Sequence, residues 1–150
     1  MKMILYGFFV SFFSCFVSLS AEDGVHEFRG KHLVADYLEC DIEALSNEPA
    51  LMRVMIDAVK KCGAQVLNQS YYIFPGHGLT MTILLSESHA SIHTYPEYGK
   101  CFVDLFTCGD SCNNHIFNEA LKEYLKPKKV AAMVLVRDDH ITELYHDRHY

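Results

Sequence analysis

Tryptophan is absent from the 150 residues, and only 8 glycines and 4 prolines occur among them. So little of the two residues that interrupt regular structure excludes a collagenous or linker-rich chain, and favours a folded unit with long elements. Positive charge is scarce too: 13 Lys and Arg stand against 19 Asp and Glu, for a net charge of −6. The basic residues are scattered rather than clustered, which removes nucleic acid from the expected partners. Cysteine is present without being dense. Cys15, Cys40, Cys62, Cys101, Cys108 and Cys112 are too widely spread to read as a disulfide scaffold. Losing Cys15 with a leader leaves an odd number, so at least one thiol is expected to be free.

What the chain does have is apolar mass. Hydrophobic residues make up 50% of it, enough for the core of one domain in a chain too short for two. Its first residues stand apart. Lys2 precedes an apolar run from Ile4 to Val17, and Ser18 and Ser20 offer a small-x-small cleavage site before Ala21, the pattern of a signal peptide. The run falls short of the about 20 apolar residues of a spanning helix. Residues 1–21 are therefore read as a leader suggesting export or membrane tethering, with membrane contact only through it if uncleaved. Residues 28–138 form the domain. Residues 139–150, with His140, His146 and His149, read as a frayed polar tail.

Within the domain, His32 to Cys40 reads as a strand ended by an acidic turn, Asp41 to Glu43. Ser46 or Asn47 caps a helix with Pro49 in its first turn, apolar residues at Leu51, Met55, Ala58 and Cys62, and Gly63 as its stop. Ala64 to Phe74 is a second strand. Pro75-Gly-His-Gly78 turns it into a hairpin with Leu79 to Leu85, and Ser91 to Tyr95 and Cys101 to Thr107 follow as further strands. Asn113 or Asn114 caps a second helix bearing Phe117, Ala120, Leu121 and Tyr124, stopped by Pro127, and Lys129 to Arg137 supplies a last strand. Runs of strands broken by two amphipathic helices predict an α+β fold: a two-layer sandwich, an antiparallel sheet with two helices packed on one face.

Reactive side chains gather between Leu84 and Asp110. In an extended segment Ser91, His93 and Tyr95 share one face, giving His93 polar company, while Cys108 ends the next strand at a loop where a thiol is half exposed. Three readings stand open on these residues alone. His93 and Cys108 are structural; or His89, His93, Cys108 and Cys112 supply zinc ligands; or Cys108, His93 and Asp104 make a cysteine hydrolase.

The ordered string narrows the choice. Glu87-Ser88-His89, then Ile92-His93-Thr94, an aromatic, Pro96-Glu97, Gly99 and Phe106-Thr107-Cys108-Gly109 resemble the prokaryotic S-adenosylmethionine decarboxylase proenzymes, and Lys31 to Asp41 resembles that family's opening strand. The resemblance implies self-cleavage between Glu87 and Ser88. Ser88 attacks the preceding carbonyl, the ester eliminates, and the α chain from Ser88 begins with a pyruvoyl group, the covalent cofactor, after a β chain ending at Glu87. That ketone forms a Schiff base with a substrate amine and takes up the electron pair left by carbon dioxide.

By the same resemblance His93 is the acid/base of processing, Cys108 the proton donor in turnover, and Thr80 the supporting hydroxyl where the family has serine. Phe74 and Tyr95 flank a planar part of the ligand, Glu97 contacts its polar groups, and no metal is involved. Tyr95 stands where the family has tryptophan, and Met81 where it has a small residue. The implied setting is polyamine biosynthesis, in a homodimer of cleaved protomers and, by the family, in the cytoplasm. A pyruvoyl-dependent arginine or ornithine decarboxylase and an uncleaved, non-catalytic paralogue acting as a binding partner are the alternatives.

Overall fold

A computed structural model describes residues 29–86, 88–108 and 112–138; the expected leader and tail, Glu87 and residues 109–111 lie outside them. Six strands form one antiparallel sheet: β1 (Gly30–Leu38), β2 (Val66–Ile73), β3 (Leu79–Leu85), β4 (Ser88–Tyr95), β5 (Lys100–Cys108) and β6 (Lys129–Arg137), in the order β2-β3-β4-β5-β1-β6. Three helices, α1 (Ile42–Ser46), α2 (Glu48–Lys61) and α3 (Asn114–Leu125), belong to the second layer. The expected sandwich is therefore present, with one helix more than expected. Where an acidic turn was predicted, the Asp41 carboxylate accepts from the amides of Glu43 and Ala44 and starts the single turn of α1, whose Leu45 is fully buried. A capping carboxylate plus one buried leucine is enough to make helix of the segment.

The helix layer follows its apolar stripe. Asn47 caps α2 through the Ala50 amide, Leu51, Met55, Ala58 and Val59 are buried, and Lys60 and Lys61 close the helix on the side its dipole favours. Asn113 caps α3, whose Phe117, Leu121 and Leu125 meet the sheet. Alternation does the rest: Leu33, Ala35 and Tyr37 of β1, Ala90 and Ile92 of β4, and Cys101, Val103 and Leu105 of β5 point into that core. Tyr37 carries its hydroxyl to Asn118 of α3 at 2.6 Å, satisfying a polar tip inside the layer. The other face of the sheet carries no helix among the described residues, and the edge strands β2 and β6 are exposed along nearly their whole length there.

The five described cysteines resolve into one bond and three thiols. Cys62, at the end of α2, is joined to Cys112 before α3, while Cys40, Cys101 and Cys108 are free. The zinc reading loses a ligand to that disulfide. His89 and His93 lie about 13 Å apart along β4 at an extended rise of about 3.4 Å per residue, and no group able to hold a metal is found among the described residues.

Candidate active site

Two separate clusters hold the reactive side chains. The first is at the start of β4 and the end of β5. Ser88 opens β4 opposite Leu85, and its hydroxyl oxygen accepts a hydrogen bond from the Cys108 amide at 3.2 Å. Cys108 is half exposed at the last position of β5. The other free thiols are unsuited to proton traffic: burial pushes Cys40 up to about 11 and Cys101 well above the ordinary thiol range. Cys108 is thus the accessible thiol of the three.

The second cluster is at the opposite end of the same hairpin. Thr80 of β3 faces His93 of β4 across the pair, and the Thr80 hydroxyl shares a hydrogen bond with His93 Nδ1. Beside them lies a cavity of about 530 Å³, walled by Phe74, Thr80, His93, Tyr95 and Glu97. Phe74 rests edge-on against Tyr72 at 4.9 Å and Tyr95 against Phe102 at 5.6 Å. Glu97 sits in the single 3-10 turn Pro96–Tyr98, which Gly99 ends with a left-handed φ of +58°. Two aromatic rings, a carboxylate and an imidazole around one opening suit a ligand with a planar part and polar substituents.

The register keeps the clusters apart. From Ser88 to His93, β4 spans about 17 Å. His93 pairs with Phe102 of β5, so Cys108 lies about 20 Å farther along that strand. The expectation that His93 and Cys108 meet on neighbouring strands is corrected here: the strands are neighbours, the positions are not. The cysteine-hydrolase triad fails with it, because Asp104 pairs across to Ser91 and accepts from the Ser91 hydroxyl at 2.9 Å.

That bond belongs to a group the sequence reading missed, on the sheet face that also carries Cys108 and that no described helix covers. His32 Nε2 is 3.7 Å from Asp104, the His32 ring stands edge-on to His89 and Phe106, and the Arg137 guanidinium lies over the Phe106 ring at 5.0 Å. Burial lowers the pKa of His32, and Asp104 opposes that shift. Phe106 in turn covers Gly30, where a Cβ would fall 2.5 Å from the ring. Each of these residues sits at an outward position of its strand, a signal visible only once β1, β4, β5 and β6 are known to be near one another.

Known proteins place the arrangement. The family model for S-adenosylmethionine decarboxylase matches residues 31–138. The chain belongs to that family. S-adenosylmethionine decarboxylase proenzymes of Methanococcus maripaludis and Thermosipho africanus are similar to it: the first is 38% identical over 108 residues, covering 72% of this chain and 88% of that protein. The second is 41% identical over 101 residues, covering 67% and 78%. A crystal structure of the adenosylmethionine decarboxylase of Aquifex aeolicus superposes with a TM-score of 0.69 at 31% identity, over 78% of this chain and 97% of that one. Family membership marks the chain as a decarboxylase, a carboxy-lyase. No helix among the described residues is long and apolar enough to cross a membrane.

Proposed function

We propose that the chain is a proenzyme that cuts itself between Glu87 and Ser88 and then decarboxylates S-adenosylmethionine, in the service of polyamine synthesis. The observation that carries this reading is the Ser88 hydroxyl held by the Cys108 amide in a chain of this family. In this proposal the hydroxyl, at the first residue of β4, is the nucleophile that attacks the carbonyl carbon before it. Attack there turns the Glu87–Ser88 amide into an ester, loss of the Ser88 α-proton with expulsion of the carboxylate breaks the chain, and the dehydroalanine left at residue 88 tautomerises to an imine that water hydrolyses with release of ammonia. The residues present fit the pyruvoyl group that results: it inherits the place of Ser88, beside the half-exposed Cys108. Once formed, it supplies the ketone that holds a substrate amine and accepts electrons as carbon dioxide leaves.

The chain's own residues do the remainder. Cys108 delivers the proton to the substrate carbon after carbon dioxide is lost, a role a thiol fills at neutral pH when its surroundings permit. Phe74 and Tyr95 take the planar base between them, and Glu97 orients it through its polar edge. His93, steadied by Thr80, moves the proton in self-cleavage. Since His93 cannot reach Ser88 within one protomer, the working unit of this reading is a homodimer in which the sheet faces that carry His93 and Cys108 oppose each other. A two-fold axis then sets the Thr80–His93 end of one copy against the Ser88–Cys108 end of the other.

Intact-mass spectrometry of the purified protein, with and without phenylhydrazine, tests the first step. Two fragments meeting at Glu87 and residue 88, the C-terminal one gaining a hydrazone, are expected. Assay of the cut protein with S-adenosylmethionine, arginine and ornithine tests the second, with carbon dioxide release from the first alone expected. A chain that stays whole after long incubation would refute the proposal.

A further inference from the structure

The turn joining β2 to β3 puts a histidine where the backbone favours glycine. The His77 amide donates to the Phe74 carbonyl at 3.0 Å, and the Phe74 amide donates to the Gly78 carbonyl at 2.8 Å. This is a three-residue hairpin loop, whose last loop residue takes the left-handed conformation. That residue is His77, at φ +62°, a region that side-chain-bearing residues enter at a cost.

Across the layers lies a carboxylate that needs a partner. Glu48 is the first residue of α2 and only 8% exposed. Its Oε1 sits 2.8 Å from His77 Nδ1, and its pKa is held down first by its own backbone amide and then by His77. A covered carboxylate without such a donor is unfavourable. The unfavourable backbone and the covered charge are separate observations that share one contact.

The turn so held walls the cavity. Phe74 and Gly78 are bonded to each other, a Cβ at Gly78 would lie 3.2 Å from the Thr94 carbonyl, and Phe74, Gly76 and Gly78 all line the opening. Phe74 itself is 51% exposed, so its position is set by the turn more than by packing. We propose that Glu48 and His77 are positioning residues: their hydrogen-bonded pair latches the hairpin tip to α2 and fixes Phe74 for the ligand. This rests on the cavity being the substrate site proposed above. Without the latch the tip frays, and substrate must order it on binding, so affinity falls. The chemical step, at Ser88 and Cys108, does not change.

The test compares Glu48→Ala, His77→Gly, the double variant and His77→Asn as mature enzymes acting on S-adenosylmethionine. Glycine relieves the backbone while deleting the imidazole; asparagine tolerates the left-handed conformation and keeps a donor. KM is expected to rise about tenfold in Glu48→Ala and His77→Gly and no further in the double variant, with kcat within about twofold. His77→Asn should stay near the parent. Hydrogen exchange of the 74–80 segment, read in the same proteins, should quicken in the two disrupted variants and nowhere else. Unchanged KM, a fall in kcat instead, additive losses, or unaltered exchange overturns the latch. If the parent enzyme does not turn over S-adenosylmethionine, the functional reading fails and the role of the pair in binding falls with it; the exchange measurement still decides whether the latch exists.

Discussion

The proposed division of the site between two copies makes an unusual demand on mixed proteins. Ser88→Ala removes the oxygen proposed to attack and keeps His93; His93→Ala removes the imidazole proposed for processing and keeps Ser88. The two positions are about 17 Å apart along β4, well beyond hydrogen-bond reach, so neither variant is expected to cut itself. Produced together in equal amounts and pairing at random, about half of the dimers are mixed, and a two-fold assembly gives each mixed dimer one complete site. About half of the His93→Ala chains are therefore expected to be cleaved, none of the Ser88→Ala chains, and activity should recover to about a quarter of the parent value. Intact mass resolves the outcome, because the two chains differ in mass and only one yields fragments. A mixture in which both variants stay whole would sink the shared-site argument. Cleavage of His93→Ala alone would remove His93 from processing.

Other perturbations follow from single features. Cys108→Ala leaves the Ser88 contact intact, because that contact is made by the backbone amide; the chain should still cleave, while kcat falls by about a hundredfold or more for want of a proton donor, as measured by carbon dioxide release. Cys62→Ser opens a disulfide that closes a sequence separation of 50 residues, for which chain entropy gives about 4 kcal/mol; urea unfolding should show a loss in the range of about 2–4 kcal/mol, and reductant should reproduce it in the parent protein. His32 is held below its ordinary pKa by burial, so the unfolded chain binds its proton more readily. Stability should be undiminished at pH 8 and decline as pH falls below about 6.5, and His32→Phe should flatten that slope in urea midpoints taken from pH 8 to 5.

Much of this was legible locally. Leu79–Leu85 and Lys129–Arg137 coincide with the strands expected there, and the caps at Asn47 and Asn113 with the predicted helix starts. The Glu87-Ser88-His89 and Phe106-Thr107-Cys108-Gly109 strings led to the family without any coordinates. Side-chain face was legible too, since His93 and Tyr95 are exposed on the side opposite Ile92. Such features depend on residues a few positions apart, whose backbone geometry the chain fixes by itself.

The sequence by itself determined the element types and the inward faces, because these follow from hydrogen bonding, capping and periodicity along one stretch of chain, and its motif strings named the family. Only the tertiary structure decided which residues meet. It joined Cys62 to Cys112, set Glu48 of α2 against His77 of a distant turn, collected His32, Asp104, Phe106 and Arg137 on one face of the sheet, and left His93 far from Cys108. Each of these depends on strand order and register, which arise from burying a common core among segments remote in sequence. No local pattern encodes that register.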